Sequence, residues 1–366
     1  MNMNTKYRPA MRGAGGAAIA AALMMMAAAC GVPAANPAQP AADDAVASVA
    51  TYAGGDRQKF LEEGAKEEGT LTVFSSTGSP AIDKVVEAFE AKYPYIDVDV
   101  PCCLNSPSDV TTRALAELQS GRSNIGVVET FASGINALRK AGMFTTFVSP
   151  NSKLQIEEAT DVDGYYLTTR SNQRGLAINT DKIPLADAPR SWDELVQPEW
   201  KGRVSIAGGE AATRLVAYLQ DTQPKETLEK FAAQEPQVVE VTARALADML
   251  VSGEVELSPT ITRAHIQPAI DKGAPVAWIP VEPVDSISTA IALPAKSPAP
   301  HAAMLFIDFM TSLEGQKIYV GNGYDSLAPE LMRPEDKDTE LVFLDGGVDY
   351  LDRSNELADL VSKLFR

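Results

Sequence analysis

Short runs of β-branched and aromatic residues alternate with segments whose apolar residues recur at helical spacing. This alternation constrains the fold more than any other feature of the chain. Leu71-Thr72-Val73-Phe74 reads as a buried strand closed by Ser75 and Ser76, and Ile82, Val85, Val86 and Phe89 then mark one face of a helix. A second strand, Ile96 to Val100, stops at Pro101; a helix carrying Leu115 and Leu118 ends at Gly121; a third strand runs Ile125 to Glu129 and leads into a helix ending near Gly142. Farther on, Leu176-Ala177-Ile178-Asn179 and residues 287–293 read as strands, and Ser191-Trp192-Asp193-Glu194-Leu195 as a capped helix start. Helices are expected over 211–219, 243–251 and 302–310, and at the C-terminus, where Leu357, Leu360, Val361 and Leu364 share a face. Such alternation predicts an α/β protein with a parallel sheet. Ligands of open α/β sheets bind beyond the carboxyl ends of the strands, which selects the loops after Phe74, Val100, Val128 and Ile206.

The N-terminus has the pattern of an export leader. Lys6, Arg8 and Arg12 precede a small, apolar run over 13–29 that ends Ala27-Ala28-Ala29-Cys30. Cys30 is placed to accept a lipid. Ala27 stands where such signals usually carry Leu, so cleavage without lipidation stays open. The apolar run is shorter than the roughly 20 residues of a membrane span. Gly13-Ala14-Gly15-Gly16-Ala17-Ala18 loosely matches a dinucleotide fingerprint, but no strand precedes it and it is rejected. Ala- and Pro-rich residues beyond Cys30 read as a flexible tether over 31–56.

A net charge of -17 argues against nucleic acid as a partner. His265 and His301 are the two histidines, too few for a usual histidine metal site, and no metal or cofactor is expected. No G-x-S-x-G elbow and no H-E-x-x-H motif occurs, so catalysis is not expected. Cys102 and Cys103 are adjacent; in an oxidising compartment they form a strained vicinal disulfide, pair between chains, or remain thiols, the first being preferred.

Four stretches carry a family resemblance: Glu67 to Ser76; Asn179-Thr180-Asp181 with Trp192-Asp193-Glu194-Leu195 and Pro198-Glu199-Trp200-Lys201-Gly202; Gly253-Glu254 with Lys272-Gly273-Ala274-Pro275-Val276; and Ala299-Pro300-His301 with Phe306-Ile307-Asp308-Phe309 and Glu314-Gly315-Gln316. Their order and spacing over about residues 57–330 resemble the periplasmic solute-binding proteins of ABC importers, in the iron(III)-binding-like branch. The resemblance implies an α/β, two-lobe periplasmic-binding-protein-like fold with a ligand cleft and crossing hinge strands. It divides the chain into a signal peptide at 1–30, the tether at 31–56, a first lobe at 57–178 and 287–330, a second lobe at 179–286, and a C-terminal helical segment at 331–366. It also implies a monomer, periplasmic or at the cell surface and tethered through Cys30. Its partners would be a small-molecule solute and a permease in the cytoplasmic membrane.

Ser75, Ser76 and Thr77 end the first strand and either bind an anion or cap the next helix. Glu129 and Thr130 follow the third strand, where relatives can place a ligand carboxylate; a solvated loop is the plainer reading. Gly208-Gly209 opens a helix and lets backbone approach a ligand, or makes an ordinary turn. Arg170 and Arg174 precede the strand at Leu176 and suit either an anion or a bridge between lobes. Iron-binding relatives carry adjacent tyrosines where this chain reads Ser258-Pro259-Thr260-Ile261-Thr262-Arg263-Ala264-His265. Thr262 and Arg263 there suit an oxyanion, since a guanidinium pairs with carboxylate or phosphate and cannot ligate a cation. The expected ligand is therefore a small organic anion or zwitterion, carboxylate or phosphonate. Ferric iron transport and an exported enzyme are the competing readings.

Overall fold

The structure, a computed structural model, describes residues 42–102, 106–159, 161–344 and 353–365. The leader with Cys30, and Cys103, lie outside the described residues.

The chain opens with α1 (Ala42–Ala50), α2 (Arg57–Glu68), β1 (Thr70–Ser75), α3 (Ala81–Lys92), β2 (Asp97–Asp99), α4 (Pro107–Gln119), β3 (Ile125–Phe131), α5 (Ala132–Lys140) and β4 (Phe144–Thr145). The strands β5 (Tyr166–Arg174) and β6 (Leu176–Asn179) follow, then α6 (Trp192–Leu195), β7 (Ser205–Ala207), α7 (Glu210–Thr222), α8 (Lys225–Ala233), β8 (Gln237–Val239) and α9 (Ala243–Ser252). The last part holds β9 (Leu257–Ser258), α10 (Arg263–Ile270), β10 (Val276–Ile279), β11 (Val284–Pro294), α11 (Pro300–Thr311), α12 (Leu313–Val320), β12 (Leu341–Val342) and α13 (Ser354–Leu364).

Among the described residues, one sheet has the path β12-β11-β3-β1-β2, with β4 and β5 also paired to β11. β1 pairs parallel to β2 and to β3, as the alternation predicts, whereas β11 runs antiparallel to both β3 and β5. The sheet is therefore mixed. The strand that returns from the other half, β11, is the one that runs against its neighbours β3 and β5. That half has a second sheet, β10-β6-β9, and the parallel pair β7-β8. Only Gly175 separates β5 in the first sheet from β6 in the second, so this crossing is a nearly continuous strand. A Cβ at Gly175 would lie 2.4 Å from the Ile279 carbonyl oxygen and 2.7 Å from the Trp278 ring, so a side chain there would push the crossing strands apart. The return crossing runs from β10 to β11.

Each half has its own core. In the first, α2, α3, α11 and α12 cover one sheet face through Leu61, Val85, Phe89 and Phe306, and α4 and α5 cover the other through Val110, Ile135 and Leu138. α11 is apolar nearly all round and accordingly buried. Its first amides are satisfied by a tertiary cap: Glu68 accepts from His301 N at 3.1 Å and Ala302 N at 2.8 Å. In the second half, Trp192, Leu215, Phe231 and Leu257 fill one core and Leu246, Leu250 and Ile266 another.

Two expectations need correction. The span 31–56 is not a tether throughout, because α1 buries Val46, Val49 and Ala50 against the first-half core. Its Ala- and Asp-rich composition resembles a linker, but those three positions share one helical face. The C-terminal segment 331–366 is not helical throughout. Its described part makes a turn at Pro334–Asp336, adds β12 to β11, and lays α13 on α7, burying Leu357 with Phe365 against Phe231.

The α1 contact is testable. A double Val46→Ala, Val49→Ala variant should lose about 2–4 kcal/mol in denaturant unfolding, from the lost methyl burial plus the cavities left. A true tether would show no change.

Candidate functional site

Polar side chains concentrate at the carboxyl ends of β1 and β3 and along the crossing strand β5. The Glu129 carboxylate is fully buried and accepts from Ser75 Oγ at 2.5 Å, Thr77 Oγ1 at 2.9 Å and Thr169 Oγ1 at 2.9 Å. Arg170 Nη1 also donates to it in a close ion pair. The Arg170 guanidinium lies beside both Tyr319 and Tyr324, 5.1 and 4.7 Å from their ring centroids. Burial, with Glu129 beside it, pushes the Tyr319 phenol well above its usual value, so it stays protonated. Ser76 donates its backbone N–H to the Glu129 carbonyl oxygen at 2.9 Å, and its buried Oγ has no hydrogen-bond partner among the described residues. Ser75, Ser76, Thr77, Glu129 and Arg170 are thus brought together. Glu129 is the hub of a buried network and not a solvated loop acid.

Thr130 is buried apart from this network; its Oγ1 donates to the Pro107 carbonyl oxygen at 3.2 Å and ties β3 to the start of α4. Gly209 precedes α7 at φ 58° with nothing near its Cβ position, a backbone conformation that glycine adopts without strain. Arg174 Nη1 donates to the Ala211 carbonyl oxygen in the first turn of α7 at 3.3 Å, which links β5 to that helix.

A second charged group joins β5, α7 and β11. Asp285, fully buried, pairs with Arg174 at 2.5 Å and Arg214 at 2.7 Å. Burial alone would raise the Asp285 pKa, but the two guanidiniums outweigh it and hold the carboxyl below its usual value.

Thr262 and Arg263 begin α10. Thr262 bridges to Arg174 on β5, which sets α10 against the crossing strand. The Arg263 guanidinium is 4.1 Å from the Trp278 ring centroid and is engaged by two acids of the chain: Asp336 at 2.5 and 2.7 Å, and Asp325 at 3.1 Å. The sequence reading gave Arg263 an anionic partner from solution; in this structure its partners are carboxylates of its own chain. Cys102 is exposed in the loop after β2. Among the described residues no group of three or more His, Cys, Asp and Glu converges as metal ligands would.

Thr169, Trp278, Tyr319, Tyr324, Asp285, Asp325 and Asp336 escaped the sequence reading. Tyr319, Tyr324 and Asp325 stand close together around Gly323, a cluster visible in sequence without any sign of what it faces. The others acquire a role only through partners far away in the chain.

Replacing Asp285 with Asn should cost about 3–5 kcal/mol in unfolding free energy, because two buried guanidiniums lose their shared carboxylate. A second test concerns pH. Burial raises the Asp325 pKa to about 6, with Arg263 opposing, so its ionisation weakens the fold as pH rises from about 4 to 6. Burial lowers the His265 pKa to about 4, aided by Arg244, so His265 acts in the opposite sense between about 4 and 6.5. The parent should therefore show a nearly flat stability profile there. Asp325→Asn should expose the His265 component alone, with stability climbing by up to about 1.4 kcal/mol per pH unit. Parallel profiles for parent and variant would contradict the assignment.

Comparison with known proteins places this architecture. Residues 132–352 match the family model of bacterial extracellular solute-binding proteins. A protein of Haemophilus influenzae is 24% identical over 277 residues, covering 72% of this chain and 78% of its own length. Iron-bound HitA from Pseudomonas aeruginosa superposes with a TM-score of 0.66 at 19% identity, covering 81% of this chain and 99% of that one. AfuA from Actinobacillus pleuropneumoniae, solved with exogenous fructose-6-phosphate bound, gives a TM-score of 0.68 at 19% identity over 80% of this chain and 99% of its own. With two α/β lobes joined by crossing strands, this chain belongs to the bacterial extracellular solute-binding protein family.

Proposed function

We propose that the protein is the receptor of an ABC import system. It closes its two lobes on a small organic anion or zwitterion and hands it to a permease in the cytoplasmic membrane, binding without turnover. The observation that carries this reading is the buried cluster of Ser75, Ser76, Thr77, Glu129, Thr169 and Arg170 at the strand ends. Ser76 Oγ in this cluster, and Thr262 Oγ1 at the start of α10, have hydrogen-bonding capacity that no described residue uses. Buried polar groups seek partners, and a polar solute supplies them. The first lobe is taken as 57–178 with 287–330, joined by α1, and the second as 179–286. The leader supports export, with Cys30 as the lipid-bearing residue at the membrane surface and residues 31–41 as a shortened tether.

The fold does not select the solute: HitA carries iron and AfuA fructose-6-phosphate on similar frames. Side-chain chemistry favours the organic solute. Thr262 and Arg263 stand where iron-binding relatives carry tyrosines, and the Tyr319 phenol is held protonated.

Thermal unfolding across a panel of carboxylates, phosphonates, amino acids, sugar phosphates and ferric ion tests this, since a ligand bound only to the folded state raises its stability. An organic anion or zwitterion should raise the melting temperature. Ser76→Ala should then weaken its binding by about 0.5–1.5 kcal/mol while leaving unliganded stability unchanged, since the hydroxyl has no partner to lose among the described residues. A coloured, tight ferric complex would replace this solute class with iron. Unaltered affinity in Ser76→Ala would remove Ser76 from the site.

A further inference from the structure

Arg263 is 4% exposed, and its guanidinium faces the Trp278 indole 4.1 Å away. Asp336 meets the guanidinium edge with both oxygens, Nη1 to Oδ2 at 2.5 Å and Nη2 to Oδ1 at 2.7 Å. This is the two-point geometry by which a planar guanidinium recognises a planar carboxylate. Asp336 comes from the isolated turn Pro334–Asp336 beyond α12, not from the elements that form the seat. The local hydrogen bond there is made by its backbone N–H to the Arg333 carbonyl oxygen at 3.0 Å, which needs no carboxylate. Beside the seat, Thr262 Oγ1 and the Trp278 indole N–H are buried without hydrogen-bond partners among the described residues, and Thr262 is only 5% exposed. The seat thus holds a carboxylate and also has polar edges that Asp336 does not use.

We infer that Asp336 fills a carboxylate seat on Arg263 and Trp278, one that a carboxylate-bearing solute takes over when the 334–336 turn moves away. The C-terminal segment is then a built-in competitor that sets how tightly the solute is held. This rests on the proposed receptor reading and narrows its solute class from anions in general to carboxylates. The indole plate and the guanidinium edge present a flat slot with two parallel donors. A guanidinium fork accepts phosphate as well as carboxylate, so discrimination between them comes from charge. Asp325, whose carboxylate lies 3.1 Å from Arg263 Nη1, adds negative charge at the rim and penalises a doubly charged anion.

Chemical rescue tests the inference without knowledge of the natural solute. Asp336→Ala empties the seat in the full chain, and its thermal unfolding is followed while sodium acetate is titrated against sodium chloride at equal ionic strength. The variant should gain several degrees, saturably, in acetate. The parent, with its seat filled, should respond only as it does to chloride, and inorganic phosphate should rescue the variant less than acetate does. Combining Asp336→Ala with Arg263→Lys should abolish the acetate response, because an ammonium lacks the fork. Acetate acting no better than chloride on Asp336→Ala would overturn the seat, and so would phosphate rescuing as well as acetate. If Asp336→Ala does not fold, Asp336→Ser also empties the seat while leaving a small polar side chain on the turn; the same acetate response is expected, and its absence is equally fatal. The outcomes separate from those of the receptor reading. A solute that stabilises the parent while acetate rescue fails keeps the receptor and removes the seat. Rescue with no stabilising solute in the panel keeps the seat and removes the receptor reading.

Discussion

Guanidinium–carboxylate pairing along the crossing strand is the interaction on which the rest of this structure depends. Arg170 pairs with Glu129, Arg174 shares Asp285 with Arg214, and Arg263 joins Asp325 and Asp336, all of them nearly or fully buried. Each carboxylate lies on an element distant in sequence from its arginine. Desolvating such charges is costly, and the cost is recovered only when the geometry is good and the remaining hydrogen bonds are filled. The pairs therefore specify one arrangement of β5, β11, α7 and α10, because any slip strands a buried charge.

That arrangement determines where polar chemistry sits. β5 carries Thr169 and Arg170 to the end of β3, where Ser75 and Thr77 arrive from β1, and Glu129 collects all four. Four residues beyond Arg170 the same β5 carries Arg174 to the first turn of α7 and, through Thr262, to the start of α10. Gly175 then lets the chain pass the Trp278 ring and enter the second sheet. One strand thus positions the hydroxyl cluster of the first half and the arginine seat of the second. Movement of one half against the other must act through these same contacts.

Helices α1 and α13 are part of the body. α1 closes the apolar face of α11, and α13 closes that of α7. The route to α13 passes through Asp336 and β12, so the segment that covers the second-half core also touches the arginine seat.

The sequence by itself determined the alternation of strands and helices, most of their positions, and the strand-end rule that singled out Ser75, Ser76, Thr77 and Glu129. Those follow from local periodicity, and periodicity is written in neighbouring residues. It misread α1, whose buried face is three small residues in a linker-like composition. It placed Arg170 and Arg174 before a strand when they lie within one. The run Thr168-Thr169-Arg170-Ser171-Asn172-Gln173-Arg174 has no apolar alternation, although every residue in it is buried. Only the tertiary structure decided that Arg263 meets Asp336 and that Glu129 is the hub of a network. A charge in a sequence has no partner until folding brings one to it, and in the low-dielectric interior the identity of that partner decides whether the charge is open to a ligand or already satisfied.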